Sequence, residues 1–438
     1  MRSTTGQKDS HMPLNLDVIR NEFPALALES DGGRRIYFDN PGGTQVPQLV
    51  IDRMSECLIE ANANLGGYFA TSQRADAIVE EAHRAMADFL NAASADEIVY
   101  GQNMTTLTLH VSRSIGRELE PGDEIILTRM DHDANVSPWL LLADDLGLVV
   151  RWLPFNTETY EFDLAEFDNL LSERTRLVCF GGASNLTGTI NDVKTISRKA
   201  REAGAWSYVD AVQLAPHVSI DVQDLGCDFL VCSAYKFFGP HQGILWGRRD
   251  VLESLMPYKL RPAPEALPGS YETGTQSHEG MAGTAAAVDY FAWVGEAMAR
   301  DFMPQNERFS GRGRFVHAAL DLLFDYEKGL GERLIRGLEA LPGVRVLGIT
   351  DAAAMARRVP TVAFVTEKQS SGAIAEALAK QNIFVWSGDY YAVEAARSFG
   401  IDETGGAVRI GPVHYNTEAE IDEVLTALED ILPRASAA

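Results

Sequence analysis

Ser233-Ala234-Tyr235-Lys236-Phe237-Phe238-Gly239-Pro240 follows a short apolar run at 229–232 and closes in a Gly-Pro turn. A run of four or five apolar residues that stops at a polar loop reads as a buried strand. Upstream, Trp206-Ser207-Tyr208-Val209-Asp210 is another such run, and it ends on a carboxylate. Working outward, strand-like runs also fall at 97–100, 124–127, 148–153 and 176–180, and helical patterns lie between several of them, as at 105–116 and 192–203. Strands alternating with helices predict a mainly parallel sheet covered on both faces. In such a sheet a ligand sits beyond the carboxyl ends of the strands. Asn103, His132, Asn185, Asp210 and Lys236 all fall at or just after predicted strand ends, so the architecture brings them to one rim.

Past residue 283 the pattern changes. Long helical segments at 284–299 and 308–341 precede strand-like runs at 344–347, 361–365, 383–386 and 408–410. The last helix is marked by a capping box, Thr417 with Glu420, ahead of the apolar stripe Ile421, Val424, Leu425, Leu428 and Ile431. The division expected is a leader at 1–12, a segment at 13–37 that packs with the small domain, a large domain at 38–300 and a smaller α+β domain at 301–438. Gly32-Gly33 and Pro41-Gly42-Gly43 read as turns near the entry to the large domain.

The chain has 438 residues, enough for two well-buried domains. Its 62 acidic and 38 basic residues give a formal charge of −24. That balance argues against nucleic acid and anionic lipid as partners, and an anionic substrate then needs a locally basic pocket. No apolar run is long enough to span a membrane and no signal peptide is recognisable, so the expected compartment is the cytoplasm. Cys57, Cys179, Cys227 and Cys232 form no C-x-x-C pair and no zinc-spaced cluster with histidine, so no metal is expected and the thiols read as structural.

A lysine just past one buried strand and an acid at the end of another suit pyridoxal phosphate, which needs an amine for its Schiff base and a carboxylate to keep its ring nitrogen protonated. Gly101-Gln102-Asn103-Met104-Thr105-Thr106 ends a strand and opens a helix, where free N–H groups make an anion site. No G-x-x-x-x-G-K-[ST] stretch exists, so a nucleotide P-loop is not supported.

With these motifs the chain resembles the class V aminotransferase branch of the fold-type-I pyridoxal phosphate enzymes. Within it the likeness is to cysteine desulfurase-like proteins, neighbours of selenocysteine lyase and isopenicillin epimerase. It extends over residues 37–432 and implies an α/β fold with a mainly parallel large domain and a smaller α+β C-terminal domain. Asp210-Ala211-Val212-Gln213-Leu214-Ala215-Pro216-His217 matches the family's cofactor strand. Asp210 would then hold the pyridine nitrogen and Gln213 would donate to the ring's phenolate oxygen. Lys236 would form the Schiff base and shuttle the Cα proton. Ser233 would bind phosphate, together with Asn103, Met104 and Thr105. Tyr235 stands where the family has histidine, and its phenol could still donate to phosphate.

The resemblance extends to the remaining site residues. Asp131-His132-Asp133-Ala134-Asn135 parallels the segment whose histidine stacks on the ring, which assigns that role to His132. A D-H-D trio could alternatively hold a metal, although no second histidine cluster accompanies it. Asn185 matches an asparagine that contacts cofactor or substrate, Thr275 a threonine that reaches the neighbouring subunit's phosphate, and Arg409 the arginine that clamps the substrate carboxylate. A homodimer with composite sites is thereby implied.

One loop departs from the pattern. Trp386-Ser387-Gly388-Asp389-Tyr390-Tyr391-Ala392 lies where the desulfurases carry their sulfur-accepting cysteine, and Tyr391 takes its place. A phenol carries no persulfide, and the nearest cysteine in sequence is Cys232. Tyr68, Phe69, Trp386, Tyr390 and Tyr391 are expected to form an aromatic pocket for an apolar or bulky amino-acid side chain. The expected activity is Cα deprotonation followed by β-elimination of C–S lyase type. Transamination and epimerisation share the same groups and stay open, and a cofactor-free scaffold protein is the alternative of a different class.

Overall fold

A computed structural model describes residues 14–30 and 33–432. The expected leader at 1–12 lies outside the described residues. The large sheet has seven strands, β1 (Ile98–Gly101), β2 (Glu124–Thr128), β3 (Val149–Leu153), β4 (Thr175–Gly181), β5 (Trp206–Asp210), β6 (Phe229–Ser233) and β7 (Gly243–Gly247), in the spatial order β1-β7-β6-β5-β4-β2-β3. All neighbours are parallel except that β7 runs antiparallel to both β1 and β6. β6 is buried along its whole length, which is why it reads as an unbroken apolar run and does not alternate.

The sequence pattern misses β7. It follows β6 with only the 3-10 turn Ala234–Lys236 and no α-helix between them, so strand-helix alternation gives it no signal. The other six strands fall within one or two residues of expectation. The run at 383–386 divides into two short strands, Ile383–Phe384 and Trp386–Gly388.

Helices cover both faces of this sheet. They are α1 (Gln48–Glu60), α2 (Ala70–Leu90), α3 (Met104–Gly116), α4 (Ser137–Leu146), α5 (Val193–Glu202), α6 (His278–Met298) and α7 (Gly311–Ala340). On one face Leu107, Val111 and Ile115 of α3 and Trp139 of α4 pack with Val99, Ile125, Leu127 and Leu177. On the other, α5, α6 and the first half of α7 pack with Ile98, Ile126, Val178 and Leu230. α6 begins well before the expected 284, because Ser277 caps it and its Gly- and Ala-rich first turns are buried against α1 and α2.

A second, antiparallel sheet runs in the order β8-β9-β11-β10, from β8 (Val344–Leu347), β9 (Val362–Thr366), β10 (Trp386–Gly388) and β11 (Ala407–Ile410). Its core takes in Val346 and Phe364, together with α8 (Ser371–Ala379) and α10 (Glu418–Ile431), while α9 (Val393–Phe399) packs into a small neighbouring cluster with Leu347 and Ala407. The capping box of α10 is present as read from the sequence. The chain near residue 37 joins this unit: Ile36–Tyr37 pairs in parallel with Ile383–Phe384.

One helix serves both cores. Val316, Leu320 and Leu323 of α7 lie in the first cluster, and Leu330, Leu334 and Leu338 of the same helix in the second. Glu327 sits between these halves, fully buried. It accepts from His217 Nδ1 at 2.7 Å and from the His414 backbone N–H at 2.8 Å, and His414 Nε2 meets the Tyr290 hydroxyl at 2.8 Å. The loops after β5 and β11 are thus pinned to one carboxylate. Burial opposes its charge, but the His217 and His414 side chains outweigh that and hold it below the usual glutamate range.

Removing one partner of a buried network strands the others, at a cost of about 3–5 kcal/mol. Glu327→Ala is expected to lose that much in denaturant unfolding. A lowered folded-state pKa contributes stability above the unfolded value, near 4.5, and that stability is lost as pH falls through the folded value. The gap between wild type and variant should therefore narrow in acid.

Candidate active site

The carboxyl ends of β1, β2, β4, β5 and β6 and one edge of the small sheet enclose a cavity of about 870 Å³. Asn103, Met104, Thr105, His132, Asn185, Asp210, Gln213, Ser233, Tyr235, Lys236, Trp386, Tyr391 and Arg409 all line it, so most residues named from the sequence converge. Phe69 and Thr275 do not. Phe69 is exposed and precedes the first turn of α2, and Tyr68 beside it is fully exposed, so neither belongs to the pocket wall of its own chain. Thr275 lies in an exposed loop that Glu272 anchors, by accepting from the Tyr100 N–H at 2.8 Å and meeting His83 Nε2 at 2.8 Å.

At one end of the cavity Asn103 caps α3 and forms a capping box with Thr106. The Met104 N–H donates to Ser233 Oγ at 3.0 Å, which locks the helix start to the end of β6 and leaves the hydroxyl proton to donate elsewhere. A Cβ on Gly243 would lie 2.4 Å from the Asn103 carbonyl carbon, so only glycine lets β7 approach this closely.

In the middle lie the titratable groups. Lys236 Nζ donates to the carbonyls of Pro41 and Gly42, the latter at 3.0 Å. Burial, then the Arg409 guanidinium, pulls its pKa down to about 7 against the opposing pull of Asp39 and Asp210. Asp210 accepts from the Val212 N–H at 2.8 Å and is pushed up to about 6 by burial. His132 Nδ1 accepts from the Ala134 N–H at 3.0 Å, and burial with Lys236 nearby lowers its pKa to about 4. The imidazole is therefore neutral, with its proton on Nε2.

At the other end Arg409, on β11, is buried. Its Nη1 donates to Asn185 O at 3.1 Å, its Nη2 to Asp39 Oδ1 at 3.3 Å, and its guanidinium lies 4.2 Å from the Tyr390 ring centre. Tyr390 is spent on this scaffold: it supports Arg409 and its hydroxyl donates to Ala407 O. Tyr391 is 70% exposed at the mouth, and its ring stacks on His132 at 5.6 Å. Both tyrosines are left-handed, φ 58° and 57°. Asn185 Nδ2 donates to Tyr390 O at 2.9 Å and the Asp133 N–H to Tyr391 O at 2.7 Å, which holds the strained turn in place.

Asp39 and His241 also line the cavity and were not singled out in the sequence, and Pro41, Gly42, Gln102 and Asp131, quoted there only within longer stretches, line it with them. The Pro41-Gly42-Gly43 turn signal was legible, but nothing in it says that its carbonyls meet a lysine 194 or 195 residues away. Among the described residues no cysteine lines the cavity, and no three His, Cys, Asp or Glu side chains gather as a metal site.

Strands, loops, a half-buried lysine and a buried carboxylate lining one cleft in this arrangement define a fold-type-I enzyme. The sequence matches Aminotransferase class-V over residues 36–304 and 317–424, and the chain belongs to that family. It is 34% identical over 431 residues to the aminotransferase-like protein FGM3 of Gibberella zeae, covering 97% of this chain and 100% of that one. It is 31% identical over 441 residues to a probable cysteine desulfurase of Streptomyces coelicolor, covering 95% and 97%. The cysteine desulfurase CsdA of Escherichia coli superposes with a TM-score of 0.79 at 26% identity, over 95% of this chain and 98% of that one.

Pyridoxal phosphate is the cofactor of this family. The residues present fit it. Two buried polar atoms, Asn185 Oδ1 and Arg409 Nε, have no partner in the protein, and a helix start, an amine and a buried carboxylate face one space of adequate size. Apoprotein mixed with pyridoxal phosphate and fixed with borohydride should be labelled at Lys236. Because only the neutral amine attacks, the capture rate should rise with pH through about 7. A rise centred above pH 10, as for an ordinary lysine, would show that the cleft does not desolvate the amine.

Proposed function

We propose that this chain is a pyridoxal phosphate-dependent lyase that cleaves the C–S bond of a cysteine derivative with an apolar or bulky sulfur substituent. The observation that carries this reading is the cavity mouth, where Tyr391 and Trp386 stand and no thiol is present among the described lining residues. Sulfur therefore has no protein acceptor and leaves with its substituent. The bound cofactor supplies an electron sink that acidifies the substrate Cα–H. Arg409 binds the substrate carboxylate, as the planar guanidinium fits two oxygens at once. Lys236 Nζ takes the Cα proton and returns a proton, Asp210 keeps a negative charge at the buried end, and neutral His132 supplies a flat face with no competing charge. The balance is R–S–CH2–CH(NH3+)–COO− plus water giving R–SH, pyruvate and ammonium.

Incubating the purified protein with S-alkyl and S-aryl cysteines is expected to yield thiol, pyruvate and ammonia in equal amounts. No pyruvate, with an amine gained by an added 2-oxo acid, would replace elimination by transamination. Arg409→Gln should raise KM by about 10–100-fold, the loss of a charge-assisted pair, with a smaller effect on kcat.

The chain acts as a homodimer in this reading. Leu58, Ile59, Leu65, Tyr68 and Phe69, at the end of α1 and the start of α2, leave a contiguous stretch with exposed apolar side chains, Ile59 at 82%, of the kind that marks an interface. A second copy covering this stretch brings Phe69 and Thr275 to the partner's site and gives both residues the roles implied for them. Sedimentation should show a dimer for wild type and a shift toward monomer for Ile59→Glu with Phe69→Glu.

A further inference from the structure

We propose that His241 is the cationic ligand of the cofactor's phosphate, held in place by the ring of Tyr235. The inference rests on pyridoxal phosphate occupying the cavity described above. His241 heads β7, whose first residue, Gly243, pairs with Gly101 at the end of β1 and Ser233 at the end of β6. The next residue, Gln242, donates through Nε2 to Gly101 O at 2.6 Å. His241 is therefore placed beside the start of α3 and Ser233, the end of the cavity built from N–H and hydroxyl donors. Its imidazole is stacked on Tyr235, ring centres 5.0 Å apart and planes 18° apart, and both residues line the cavity. Stacking against Tyr235 limits the orientations open to the imidazole before any ligand arrives.

Elimination points the same way. The cavity-lining residues that can carry positive charge are His132, Lys236, His241 and Arg409. His132 is kept neutral by its burial. Lys236 would be the residue that holds the cofactor's aldehyde, so its charge would not be available to the phosphate. Arg409 is paired with Asp39 at the opposite end. A helix start offers only about half a unit charge, against a phosphate of nearly two negative charges in a protein of net charge −24. His241 is left to supply the remaining counter-charge at the phosphate end of the cavity. The exposure of its side chain makes substitution structurally mild.

The test compares the equilibrium affinity of apoprotein for pyridoxal phosphate and for pyridoxal, which lacks the phosphate, read by absorbance. His241→Gln and His241→Phe should each weaken pyridoxal phosphate binding about tenfold or more, the range for a lost charge-assisted bond, and leave pyridoxal binding unchanged. His241→Lys should recover most of the loss. His241→Phe binding pyridoxal phosphate as tightly as wild type would mean that stacking alone matters and would overturn the proposal. An equal loss for both ligands would overturn it too, since the effect would not be on phosphate. Wild type binding neither ligand would remove the cofactor reading and this inference with it.

Discussion

The Lys236 amine sits where little water reaches and where the Arg409 guanidinium is near, and both conditions disfavour its protonation, while Asp39 and Asp210 only partly offset them. The placement of the surrounding groups follows from this balance. Asp39 is engaged by Arg409, which dilutes its pull on the amine. Asp210 lies at the end of β5 and its charge is directed inward, held by the Val212 N–H. The amine rests on two backbone carbonyls, which stabilise either protonation state less than a carboxylate would stabilise the charged one. A carboxylate in contact with Lys236 would restore an ordinary lysine and with it an amine that is charged and unreactive near neutral pH.

The two units of the fold meet around that amine, and each supplies what the other lacks. The parallel sheet brings the lysine, the acid and the helix start, because its loops all emerge on one edge. The antiparallel sheet brings Arg409 and the aromatic mouth. The junction is stitched by polar contacts that cross it. Glu327 joins His217 and His414, the Arg129 guanidinium pairs with Glu394 of α9, and the Val359 N–H donates to Gly188 O at 2.9 Å. Contacts of this kind are directional, so they set the position of Arg409 relative to Lys236 more tightly than apolar packing alone would.

Six of the seven large-sheet strands were legible because each is a short apolar run set off by turns or helices, and residues at their ends converge because open α/β sheets place strand ends together. β7 was not legible, since a strand that returns directly antiparallel breaks the alternation used to find the others. Asp39 and His241 were missed for a related reason. Each is an ordinary residue in an ordinary loop, and only the three-dimensional pairing of distant segments gives it a neighbour worth noting. Phe69 shows the converse: an aromatic residue near other aromatics in an expected motif order suggested one pocket, but the start of α2 projects it away from the cavity of its own chain. The strained Tyr390-Tyr391 turn was equally hidden, because nothing in two tyrosines announces a positive φ.

Asp131 makes the acid end of the cleft more than one carboxylate. It is buried, and its Oδ1 accepts from the Gly181 N–H at 2.6 Å. Burial and the neighbouring charge of Asp210 push its pKa well above the usual range. Two carboxyl groups that feel each other across a dry interior do not both ionise readily, and their titration belongs to the pair. The asymmetry of their surroundings decides which one holds the proton. Asp210 has Lys236 as an opposing charge, whereas Asp131 has neutral donors such as Asn135, so the negative charge settles on Asp210 and the proton on Asp131. A single charge is thus fixed at the carboxyl end of β5, where it can meet a protonated ring nitrogen. A second charge beside it would raise the pKa of Lys236 and undo the desolvation on which the amine depends.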